Sequence, residues 1–160
     1  MHPDGRFVLR GQVFRAALGR GGVRSDKREG DGATPLGVLP LRRVLYRADR
    51  QAPLRAAVPV EPIAPADGWC DDSAHPDYNR MIRLPHPARH EALWREDGLY
   101  DLVGVLGWND APVEQGRGSA IFLHVARPDF APTEGCIALS APTLRAALEA
   151  GLREVRVLGS

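Results

Sequence analysis

Glycine and proline punctuate this chain from end to end, and their placement leaves almost no window for a long helix. Pro53, Pro59, Pro62 and Pro65 fall within a single stretch. Proline removes a backbone donor and clashes with the preceding turn, and it pushes its neighbour toward extended geometry. Glycine in a helix interior costs conformational entropy. With 17 glycines and 14 prolines in 160 residues, the pattern predicts many short strands joined by loops.

The stretches between breakers fit that reading. Residues 6–18 (RFVLRGQVFRAAL) predict a hairpin turning near Gly11. Residues 19–37 form a long loop rich in glycine and charge, with its run Arg20–Asp31 expected to be solvated; ordered loops of this length in small domains are often functional. Residues 38–47 predict a strand, and 49–68 an extended excursion. Residues 68–85 are polar and turn-rich, with Trp69 and Tyr78 as anchors, and 90–94 predict one helical turn. Residues 99–106 and 119–126 are the clearest buried strands, with a loop over 107–118. The best helix lies over 141–150, capped by Ser140, with Pro142 at its start and Gly151 past its end. A closing strand covers 155–158.

The length suits one domain over 1–160 with its own core. Lys+Arg is 21 against 20 for Asp+Glu, a net charge of +1, so no bulk attraction draws the chain to nucleic acid or an anionic membrane. No apolar run is long enough for a transmembrane helix. The segment MHPDGRFVLRG lacks the basic-then-apolar pattern of a signal peptide. Two cysteines, Cys70 and Cys136, are too few for a disulfide framework.

The chemistry concentrates at His124, on an apolar strand, and Cys136, twelve positions later in TEGCIAL. A loop of that length returns the chain alongside the strand it left. A thiolate is the nucleophilic form of cysteine, and a neighbouring imidazole takes its proton. Gly135 lets backbone approach a carbonyl, and the N–H groups around Gly135 and Cys136 suit an oxyanion. By themselves these residues leave the choice open, because a lone cysteine is more often a small buried hydrophobe and a lone strand histidine a core residue. A zinc site from Cys70, His75, His124 and Cys136 lacks ligand spacing, so no metal is expected.

The run IFLHVARPDFAPTEGCIAL resembles the active-site motif of the L,D-transpeptidase (YkuD-like) catalytic domain: a strand histidine, a short loop, then Ser/Thr-x-Gly-Cys and an aliphatic residue. Residues 30–37 (GDGATPLG) resemble the Thr-Pro-x-Gly segment near the start of that domain. GWCDD, HPDYNR and GRGSAIFLH look like a compact bacterial branch of the same family.

The resemblance implies a mainly β fold, a sandwich of mixed sheets with a few short helices, one after the nucleophile. It implies that Cys136 attacks the third-residue carbonyl of a peptidoglycan stem tetrapeptide and releases D-alanine. The thioester then passes to an amine, giving a 3→3 crosslink or D-amino-acid exchange. An L,D-carboxypeptidase using water and a non-catalytic wall-binding module are the alternatives. It implies no cofactor, acylation by carbapenem-type β-lactams, a monomer, and a role in peptidoglycan biosynthesis. The substrate points to the periplasm or cell envelope.

Two positions depart from the commoner pattern: Glu134 stands where histidine is usual, and Ala138 where arginine or asparagine is frequent. Glu134 is expected to face solvent, because a carboxylate beside the sulfur disfavours the thiolate. Thr133, Trp69, Tyr78, Asn79, Asn109 and Arg127 are candidates for substrate binding. Against that, aromatic residues also pin loops, Asn109 suits a turn, and Arg127, like Arg117, suits an ordinary surface cation.

Overall fold

The computed structural model describes residues 1–159. Thirteen strands and one helix follow in chain order: β1 Arg6–Leu9, β2 Gln12–Ala17, β3 Val23–Arg24, β4 Thr34–Pro35, β5 Gly37–Tyr46, β6 Val60–Pro62, β7 Asp67–Cys70, β8 Met81–Arg83, β9 His90–Ala92, β10 Leu102–Leu106, β11 Phe122–Val125, β12 Ile137–Leu139, α1 Ala141–Glu149 and β13 Glu154–Val157. The protein is mainly β, with mixed sheets and one helix near its C-terminus where the resemblance implied a few.

One large sheet runs in the order β1-β2-β12-β11-β10-β5-β13, with β6 also paired to β5. Most neighbours are antiparallel, but β11–β12 and β5–β6 are parallel. A three-stranded sheet, β8-β7-β9, lies against part of it, and β3–β4 make a small ladder inside the glycine-rich loop.

Alternation sorts the side chains of the large sheet onto two faces. Leu102 and Leu106 of β10, Leu123 of β11, and Ile137 and Leu139 of β12 point to one core, shared with Leu144, Ala147 and Leu148 of α1. Val103, Val105 and Phe122 point to the other, shared with Trp69, Leu93 and Tyr100. Burial on both faces explains why β10 reads as a continuous apolar run. Fully burying Leu144 or Leu148 contributes about 2 kcal/mol each. Ser140 caps α1 through its hydroxyl, which accepts from the Thr143 N–H, and Gly151 follows its end at φ +86°.

Two local expectations change. Residues 90–92 are a strand, not a helical turn, because His90, Glu91 and Ala92 pair antiparallel with Cys70, Trp69 and Gly68. A neighbouring strand overrides the local preference of a short segment. The strand expected over 119–126 begins only at Phe122, since Ala120 sits at φ +52° and breaks the ladder.

Candidate active site

The parallel pairing of β11 with β12 sets His124 beside Ala138. Cys136 stands two positions before Ala138, so alternation turns it to the same face as His124 and Phe122. That face is the one toward the three-stranded sheet. His124 and Cys136 both line a cleft of about 610 Å3, with Glu91, Arg95, Tyr100 and Ser119 among its other walls.

The Cys136 Sγ donates to the Ala120 carbonyl at 3.2 Å and accepts from the Phe122 N–H at 3.4 Å. Burial pushes the thiol up to about 12, with the Glu91 carboxylate adding to the effect. His124 is only 7% exposed, and burial lowers its ring to about 4. The pair therefore rests as neutral thiol and neutral imidazole. His124 Nδ1 lies 2.9 Å from the Val125 carbonyl. A carbonyl accepts only from a protonated nitrogen, so Nδ1 carries the hydrogen and Nε2 is left as the ring's proton acceptor. The edge of Tyr100 packs on this imidazole, ring centroids 5.4 Å apart.

The two separated blocks read from the sequence meet at the carbonyl of Cys136. Thr133 Oγ1 donates to it at 2.7 Å, and Thr34 Oγ1 at 3.4 Å. Gly135 is required by this convergence. Its φ is +133°, and an added Cβ would stand 2.8 Å from the Ala33 carbonyl oxygen. The Gly135 N–H is committed to Thr133 Oγ1 at 3.1 Å.

The remaining candidates separate. Thr133 and Arg127 line the cleft. Trp69 and Asn79 do not; they line a larger groove of about 1010 Å3 that contains neither Cys136 nor His124. Tyr78 is fully buried, its hydroxyl donating to Glu29 at 2.6 Å and accepting from the Gly118 N–H at 2.9 Å. Asn109, at φ +50°, closes its own loop through bonds with Glu114 and Gly118. None of these four residues lines the cleft. Asn79 Oδ1 accepts from Trp69 Nε1 at 3.0 Å and from the Ala120 N–H at 3.1 Å, and its Nδ2 donates to the Trp108 and Asn109 carbonyls. Ala120 in turn supplies the carbonyl that holds the Cys136 thiol.

Glu134 is exposed, paired with Arg20 at 2.9 Å, so its charge is turned to solvent. Ala138 is buried beside His124. Arg117 pairs with Glu114 and lies over Trp108, away from the cleft. The charged loop is not wholly solvated: the Lys27 side chain is 3% exposed and pairs with Asp31 at 2.6 Å.

Sequence reading missed Glu91, Arg95 and Tyr100. Tyr100 donates to Glu91 Oε1 at 2.6 Å, and Arg95 lies over the Tyr100 ring at 4.9 Å. Arg47 holds this wall in place: it is buried, stacks on Trp94 at 3.6 Å and donates to the Arg95 carbonyl.

Among the described residues, one trio has metal-ligand character, namely His75, Asp77 and His86. Both rings accept a backbone N–H at Nδ1. That places the proton on Nε2 in each neutral ring, and His86 Nε2 lies 3.3 Å from Asp77. The trio is a hydrogen-bonded loop clasp in this arrangement. No helix is long and apolar enough to cross a membrane among the described residues.

A family model described as the L,D-transpeptidase catalytic domain, YkuD, matches residues 4–151. Comparison with curated proteins and with solved structures gives no match. The family match spans both sequence blocks that converge on Cys136 and nearly all of the fold around them, and the chain belongs to the L,D-transpeptidase catalytic domain family.

Proposed function

We propose that Cys136 and His124 carry out acyl transfer on peptidoglycan stem peptides, within one catalytic domain over 1–160. The observation that carries this reading is the shared cleft: a half-buried cysteine and a proton-accepting imidazole both line it, on one face of adjacent strand segments.

In the first half-reaction, His124 Nε2 takes the thiol proton as Sγ attacks the carbonyl of the third stem residue. The neutral resting pair suits this order, since the charges arise only as the substrate displaces water. The oxyanion is met by the Cys136 N–H, the Gly135 N–H being occupied. His124 then returns its proton to the departing D-alanine amine, leaving a thioester. Arg127, at the cleft wall, pairs with a stem carboxylate. In the second half-reaction an amine takes the acyl group, and with water the same thioester gives the carboxypeptidase outcome. No step draws on a metal or an organic cofactor. The substrate places the protein in the periplasm or cell envelope, acting as a monomer.

Incubation with a stem tetrapeptide and a D-amino acid tests the reading. Exchange of the terminal D-alanine, with a carbapenem mass adduct on Cys136, is the expected result. Tripeptide as sole product at high amine concentration would favour the carboxypeptidase. Muropeptide binding without any adduct would identify a wall-binding module instead.

A further inference from the structure

Glu91 belongs to β9, and its pairing opposite Trp69 turns its side chain to the wall of the catalytic cleft. Two groups hold it there. The Tyr100 hydroxyl donates to Oε1 at 2.6 Å, and Arg95 Nη1 lies 3.6 Å from the same oxygen. Oε2 carries no hydrogen bond among the described residues, and the side chain remains 28% exposed. A positioned carboxylate thus offers one free oxygen to the space that Cys136 and His124 share.

We propose that Glu91 binds the ammonium group of the acyl acceptor and takes its proton in the second half-reaction. The proposal rests on the acyl-transfer reading above. Its ligand class is a primary alkylamine, which is protonated at neutral pH and cannot attack a carbonyl in that form. The atoms balance as follows. Glu91 Oε2 removes one proton from the ammonium, and the freed nitrogen forms a bond to the thioester carbonyl carbon. His124 Nε2 accepts the second nitrogen proton as the C–S bond breaks, and passes it to the departing sulfur. The products are an amide, a neutral Cys136 thiol and a protonated Glu91, which returns its proton to water.

Two features of the surroundings favour this role. Passing a proton from ammonium to carboxylate replaces two charges with two neutral groups, the preferred pair in a partly desolvated wall. Burial also raises the Glu91 carboxyl above its usual range, which strengthens it as a base. For the first half-reaction alone Glu91 is a hindrance, since its charge opposes formation of the thiolate. An entering cation offsets that charge only when the acceptor arrives.

The test offers two nucleophiles to the same acyl-enzyme. D-Methionine presents an ammonium, whereas hydroxylamine is already largely neutral at neutral pH. Full-length protein is loaded with stem tetrapeptide, both acceptors are added, and the exchanged tetrapeptide and the hydroxamate are quantified by mass spectrometry. In Glu91→Gln the ratio of exchanged product to hydroxamate is expected to fall about a hundredfold, and Glu91→Asp should recover much of it. An unchanged ratio in Glu91→Gln overturns the proposal. If that variant yields neither product, Glu91→Ala, which removes the carboxylate outright, is read the same way: a lowered ratio supports the proposal and an unchanged one overturns it. Wild-type protein that forms neither product removes the acyl-transfer reading, and the role of Glu91 with it.

Discussion

Cys70 and Cys136 carry the same functional group into two different settings. Cys70 is fully buried at the end of β7, packed with Ile82, Leu84 and Ala88. Cys136 is partly exposed and opens into a cleft that also holds His124 and Glu91. Burial pushes both thiols up, so desolvation does not tell them apart. What differs is access and the proton acceptor on the next strand. A raised thiol with neither is a small apolar filler; one with both meets the needs of the proposed nucleophile.

The largest expected effect follows from that difference. Cys136→Ala should lower D-alanine release from a stem tetrapeptide by roughly 10^4-fold or more, measured beside Cys70→Ala. Equal losses in the two variants would erase the contrast.

Next in size is the proton acceptor. His124→Asn should cost about 10^3-fold in kcat/KM, because the amide offers no basic nitrogen. The wild-type pH profile sharpens the point. Burial holds the His124 ring at about 4 instead of its ordinary 6.5. The neutral base therefore persists as pH falls through 6.5, and the acid limb of kcat/KM should lie near 4. Stability carries the matching sign. Below 6.5 the unfolded chain binds a proton that the folded chain refuses, so folding weakens progressively from 6.5 toward 4. An acid limb near 6.5 would show that His124 is exposed to water in the free enzyme.

The parts of this site that sequence could reveal are those set by neighbouring strands. Alternation along IFLHVA and the short return to TEGC place His124 and Cys136 on one face, because β11 and β12 are joined by a single loop. The helix was legible from Ser140 and Gly151 for a similar local reason. Glu91 was not legible, since it reaches the cleft only through the packing of the three-stranded sheet on the large one; Tyr100 comes to His124 through the pairing of β10 with β11, a long-range register that neither strand reports. Residues 90–92 read as a turn because nothing within that tripeptide reports the partner strand at 68–70. Lys27 read as solvated for the same reason: its burial comes from contacts with a distant loop, including Gly118.

Asn79 lies between the two thiols in expected effect, and it links their settings. Its N–H donates to the Cys70 carbonyl at 2.9 Å, while its side chain holds Ala120, whose carbonyl receives the Cys136 thiol. Asparagine also tolerates the φ of +56° found there. Asn79→Asp keeps the acceptor oxygens but loses the donors to the Trp108 and Asn109 carbonyls. Displacement of Ala120 by such a change should cost about tenfold to a hundredfold in kcat, with little change in KM. A rise in KM at constant kcat would instead assign Asn79 to substrate contact.

The smallest effect belongs to Cys70. Cys70→Ala removes one sulfur from a closed apolar patch, and the small void should cost about 1 kcal/mol of stability. The sulfur packs with Ile82, Leu84 and Ala88, none of which lines the cleft, so turnover per folded molecule should match wild type. Denaturant melts report the first quantity, and active-site titration with a carbapenem reports the second. Alkylation by iodoacetamide then tests the contrast directly. In the native protein only Cys136 should be modified, slowly, because its thiol is neutral at rest. Label on Cys70 before unfolding would mean that β7 opens on its own, and the two thiols would no longer differ in access.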